Sequence, residues 1–232
     1  MNALTRSAAA YWNSSIGKKL VVAVTGLAMV LFLAGHLTGN LLIYAGKEAF
    51  DEYAEFLHTA GHGALIWVAR VGLLTVLVLH VWATILLTRE NKAARKQEYA
   101  YKATIQASKS SRIMIWSGLT VLAFIVFHIL HFTVRTNSHL AEIAKESPYE
   151  MVIAGFSGGF LQALVVLFYV IAMSLLCSHI SHGVASMFQT LGFRSKKAAG
   201  LIQLISLGYA AVIWVGFVSI PVAILLGFVR SN

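Results

Sequence analysis

The residues able to do chemistry in this chain are its nine histidines, set in 232 residues of which only 12% are charged. His36, His80, His128, His131 and His179 fall inside long stretches almost free of charge, and His182 closes one of them. His58, His62 and His139 lie in polar segments and read as ordinary interfacial residues. An ionisable group in an apolar segment is costly and usually functional. No Asp or Glu lies in any of these stretches. A proton-coupled transporter wants carboxylates at that depth, whereas neutral imidazoles without acids suit metal ligation. The lone Cys177 excludes a disulfide framework and a cysteine-ligated iron–sulfur cluster on this chain.

The elements that position these histidines are membrane-spanning helices. Charge-free runs cover 27 residues between Lys19 and Lys47, 22 between Arg112 and Arg135, 43 between Glu150 and Arg194, and 32 between Lys197 and Arg230. A fifth run of 33 residues, from Glu55 to Arg89, holds the single charge Arg70. About 20 apolar residues cross the hydrocarbon core as a helix, so five spans fit, and the mean hydropathy of +0.76 agrees. The fold expected is all-α: one polytopic domain over 1–232, with spans at about 20–44, 64–88, 113–134, 155–182 and 201–228. Two prolines and the lack of a glycine-rich loop after a strand leave no place for a nucleotide-binding domain. Residues 1–15 are too weakly apolar for a cleavable signal. Segment 45–63 has helical spacing in its apolar residues and is expected to lie along the interface, and Pro221 to kink the last span; the basic, Ala-rich 89–112 is expected to lengthen its neighbouring helices or to form a docking surface for a soluble partner.

Thirteen Lys and Arg fall on the side of the N-terminus and of the loops joining spans two to three and four to five, against four on the other. Acids run the other way, two against seven. The positive-inside rule then places the N-terminus in the cytoplasm and the C-terminus outside. Because the net charge of +9 alternates loop by loop, it reads as insertion bias, not as a nucleic-acid surface.

An internal repeat sorts the histidines. TGLAMVLFLAGHL (Thr25 to Leu37) aligns without gaps with SGLTVLAFIVFHI (Ser117 to Ile129), matching Gly26 to Gly118, Phe32 to Phe124 and His36 to His128. Both spans run outward, which sets His36 and His128 roughly 25 Å in from the cytoplasmic charges, in the outer half. His80 lies roughly 13 Å from the inner charges, and His179 too lies towards the cytoplasm. Two outer and two inner histidines, one on each of four helices, are what two stacked bis-histidine haems require. His131 and His182 each follow one of these by three residues and share its face; each is either the alternative ligand or a partner for a haem propionate. Arg70, at the level of the outer pair, is a propionate partner or a tie between helices. Glycines on these helices, Gly35 and Gly72 among them, admit close helix approach or a flat macrocycle.

Four blocks carry a resemblance: SxIGKKxxxAxTGLxxxxFLxxHLxGNL from Ser14, LHVWATxxLTREN at 79–91, SGLxxLxFxVFHxLHF at 117–132 and SHxSHGxxSMFQTLG at 178–192. Together they resemble the cytochrome b membrane anchor of bacterial succinate:quinone oxidoreductases, of the single-anchor, five-helix, two-haem type. The resemblance implies an outer haem held by His36 and His128 and an inner haem by His80 and His179, and it favours His179 over His182 by its distance from Gly192. It implies a FAD-containing flavoprotein and an iron–sulfur subunit on the cytoplasmic face of a bacterial inner membrane, with menaquinone as the exchangeable substrate. Succinate oxidation or fumarate reduction then resides in the flavoprotein. Glu48, Asp51, Glu52 and Glu55 are the candidate quinone-site carboxylates. Some relatives carry a membrane-embedded glutamate for proton transfer where this chain has Cys177. The rival readings are the cytochrome b subunit of a hydrogenase or formate dehydrogenase, and a haem-free, histidine-lined metal or proton transporter.

Overall fold

The computed structural model describes residues 10–94 and 113–231. The described chain forms α1 (Ser15–Leu41), a 3-10 turn (Leu42–Ala45), α2 (Lys47–Thr59), α3 (Ala64–Ala93), α4 (Met114–His128), a π-helical turn (Ile129–Val134), α5 (Ser138–Glu146), α6 (Pro148–Phe156), α7 (Phe160–Thr190) and α8 (Ala199–Leu225). α1, α3, α4 with its π turn, α7 and α8 are each long and apolar enough to cross a bilayer. The protein is a multi-pass, all-α membrane protein.

Local chemistry explains the ends. The Ser14 hydroxyl accepts from the Gly17 N–H and caps α1. Ser147 caps α6, whose first residue is Pro148, where a missing N–H costs nothing. The expected helix over 45–63 is present as α2, and the segment after Arg135 supplies α5 and α6. The fourth span needs correction: it does not run over 155–182. Gly155 ends a separate short helix with Phe156, the chain turns at Gly158 with φ 139°, and a 31-residue helix runs from Phe160 to Thr190. Only glycine enters that backbone region freely, and hydropathy does not register the turn. The long charge-free run is thus a short helix followed by a full span. α3 extends to Ala93, and the rest of 89–112 lies outside the described residues. α8 is continuous through Pro221.

The principal interfaces order the spans α3–α1–α7–α4, with α8 packed on α1 and α7. The Tyr209 hydroxyl of α8 bonds the Val30 carbonyl of α1 at 2.5 Å, and the Cys177 thiol bonds the Ala210 carbonyl at 3.1 Å. Gly216 lets α8 meet Leu37 closely; a Cβ there would stand 2.6 Å from a Leu37 methyl. At the basic end, the ammonium of buried Lys18 pairs with Glu90 at 2.8 Å and joins the start of α1 to the end of α3. Outward faces carry large apolar residues such as Val68, Leu74 and Trp116, as a hydrocarbon solvent demands.

Candidate functional site

His36 and His128 face each other at the end of the bundle away from Lys18. Their ring centroids are 5.9 Å apart and the planes stand at 81°. Two imidazoles bound to opposite faces of one metal ion stand roughly 6 Å apart centre to centre, since each metal–nitrogen bond is about 2 Å. An aromatic wall surrounds the pair: Phe32 stacks on His36 at 5.1 Å, Phe217 lies 5.6 Å from it, and Phe124 stacks on His128 at 5.7 Å.

His128 is the last residue of α4, and His131 lies in the π turn that follows. Both approach the buried Tyr169 of α7, whose hydroxyl is 3.2 Å from His128 Nδ1 and 3.0 Å from His131 Nδ1. His131 itself packs on Phe132 and Phe156, and its Nε2 approaches Gly155; its ring does not pair with His36. Of the two candidates on this helix, His128 therefore faces the partner histidine and His131 stands behind it. Asn40, one turn past His36, donates to the His36 carbonyl at 2.7 Å and holds its amide beside the ring.

The second pair lies nearer the basic end. His80 of α3 packs on Gly26 of α1, and His179 of α7 packs on Gly118 of α4. His80 Nδ1 stands 3.0 Å from the Thr25 hydroxyl of α1, and His179 Nδ1 stands 3.4 Å from the Ser117 hydroxyl of α4. The rings lie over Gly26 and Gly118, the residues that follow those hydroxyls. The His182 ring makes no hydrogen bond to another described residue. The His36–His128 contact joins α1 to α4, helices that share no major interface, across the interior of the bundle.

The remaining candidates separate by their partners. Arg70 places its guanidinium 5.2 Å from the Trp67 ring centre and has no carboxylate partner among the described residues. Asp51 is committed: it accepts from Lys47 Nζ at 2.8 Å, Ser147 Oγ at 2.7 Å and the Tyr149 N–H at 2.8 Å. Burial alone raises its pKa, but these three donors outweigh burial and hold the carboxyl below its ordinary value of 3.8. Glu48, Glu52 and Glu55 are exposed on α2, and their carboxylates make no hydrogen bond or ion pair with a described residue. Tyr53, between them, lays its ring against Gly39 of α1.

Tyr169, Thr25, Ser117 and Asn40 join the site without having been singled out in the sequence. The repeat held a signal for two of them, since Thr25 and Ser117 open its two copies. Among the described residues no cluster of three or more His, Cys, Asp and Glu side chains could hold a bare metal ion. What His36 and His128 offer together is two imidazoles, fewer donors than a bare ion needs. Comparisons with family models, with curated proteins and with solved structures found no match.

Proposed function

We propose that the chain is a dihaem cytochrome b that anchors a succinate:menaquinone oxidoreductase, or the corresponding fumarate reductase, in a bacterial inner membrane. The observation that carries the reading is the facing of His36 and His128 inside an aromatic wall, with His80 and His179 held nearer the basic end against Gly26 and Gly118 of the same two helices. The donor set fits haem: a pair of imidazoles suits the two faces of one macrocycle and falls short of a bare ion. Haem, when bound, supplies reversible one-electron chemistry. The chain's own part is to hold it and to exclude water. His36 and His128 would hold the haem of the outer site, and His80 and His179 that of the inner site. Tyr169 and Asn40 orient the outer pair, and Arg70 offers a cation for a propionate.

The bias of basic residues supports a cytoplasmic N-terminus and a basic face turned to an iron–sulfur subunit and its FAD-containing partner. Menaquinone then exchanges at the opposite end, near His36 and His128. Asp51 is a poor quinone ligand, because three donors already occupy it. Glu48, Glu52 and Glu55 remain as carboxylates for that role.

The test is the set of single alanine variants, each assayed for haem per chain by pyridine haemochrome. His36→Ala and His128→Ala are expected to remove the outer haem, and His80→Ala and His179→Ala the inner one. His131→Ala and His182→Ala should keep both. Loss of a haem in His131→Ala with retention in His128→Ala would reverse the ligand assignment on α4.

A further inference from the structure

The inner pair is supported by a device that the outer pair lacks. The Thr25 hydroxyl carries one hydrogen, and that hydrogen goes to the carbonyls one turn back: Oγ1 lies 2.6 Å from the Val21 oxygen and 3.2 Å from that of Val22. Towards His80 Nδ1, at 3.0 Å, Thr25 can then offer only a lone pair. Ser117 repeats the arrangement. Its hydroxyl donates to the Met114 carbonyl at 3.1 Å, and its oxygen stands 3.4 Å from His179 Nδ1. Val22 and Met114, Thr25 and Ser117, and Gly26 and Gly118 correspond at the same offset that relates His36 to His128.

We propose that Thr25 and Ser117 are paired positioning residues that lock His80 and His179 in the tautomer protonated at Nδ1, leaving each Nε2 lone pair free for a metal. The inference rests on the dihaem reading, which supplies the metal. Each copy of the repeat thus does two tasks: it carries one ligand of the outer site and, about three turns earlier, the acceptor that orients one ligand of the inner site. Acceptors at the remote nitrogen fix ring orientation and raise the basicity of the bound one. The outer site is built differently. His128 faces a tyrosine hydroxyl that it shares with His131, and His36 faces a carboxamide on its own helix. The two sites should accordingly respond to different substitutions.

The experiment uses the full-length chain. The first readout needs no haem: ¹⁵N NMR of labelled histidine in haem-free protein reads the tautomer of His80 and His179, each assigned through a His→Gln variant. Wild type should show Nδ1–H at both, and Thr25→Val with Ser117→Ala should show mixed tautomers. The second readout is haem retention against a scavenging apoprotein, with low-temperature EPR of the oxidised form. The double variant should release one haem about 10–100-fold faster, with the signal of the other unchanged, and Thr25→Ser with Ser117→Thr should restore wild-type behaviour. Unchanged tautomers, or equal loss of both haems, would overturn the proposal. A wild-type chain that shows the Nδ1–H tautomers but takes up no haem would keep the hydroxyl roles and overturn the haem reading instead.

Discussion

Replacing Asp51 with alanine should loosen the end of the bundle opposite Lys18. Asp51 links α2 to the start of α6 through Ser147 Oγ and the Tyr149 N–H, and it pairs with Lys47 within α2. Ser147 uses the same hydroxyl oxygen to accept from the Glu150 N–H and cap α6. The Lys47 pair lies within one helix and its lysine is 41% exposed, so it contributes only about 0.3–0.5 kcal/mol. The two bonds between elements involve a carboxylate that is 23% exposed, and the low end of the range for charged hydrogen bonds, about 1.5 kcal/mol each, is appropriate. Asp51→Ala should then cost about 3 kcal/mol locally, a roughly 100-fold faster amide exchange at Tyr149. Asp51→Asn keeps one acceptor oxygen and should cost about half of that. The assay is hydrogen exchange by mass spectrometry in nanodiscs, on peptides covering 47–59 and 147–156.

The sign of the pH dependence follows from the depressed carboxyl. Its stabilisation is complete above the unfolded-state value, near 3.8, and is lost as pH falls through the lower folded-state value. Protection, corrected for intrinsic exchange, should therefore be flat through neutral pH and fall only in strong acid. Equal exchange of 147–156 in wild type and Asp51→Ala would refute the latch. If Asp51→Asn abolished quinone turnover without changing exchange, Asp51 would return to the quinone-ligand candidates.

Tyr169→Phe removes the hydroxyl shared by His128 and His131 and should speed release of the outer haem about tenfold, at the low end for remote-nitrogen partners, while sparing the inner one; haem-transfer kinetics check this. Gly216→Val drives a side chain into Leu37 and should cost about 1–3 kcal/mol. Adding Leu37→Ala should recover part of that loss, so a double-mutant cycle on melting temperature should show coupling.

The spans were legible because a bilayer reads composition directly: runs without charge long enough to cross it became helices at almost the expected places. The break before α7 was not, because it rests on the φ of Gly158, which leaves apolarity unchanged. The juxtaposition of His36 with His128 was foreshadowed by the repeat, since equivalent positions on helices of the same direction share a depth. What each histidine touches was not legible. Tyr169 lies 41 residues from His128, and Asp51 lies 96 from Ser147, so only the packing of α4 on α7 and of α2 on α6 brings them together. Asp51 looked like one of four equivalent carboxylates, and the structure distinguishes it by its three donors.

The measurement closest to the central claim is a dithionite-reduced minus oxidised visible spectrum of the purified chain, co-produced with its partner subunits and quantified as pyridine haemochrome. Two b-type haems per chain with low-spin α-bands are expected. Well-folded protein carrying no haem would contradict it and give weight to a histidine-lined transporter.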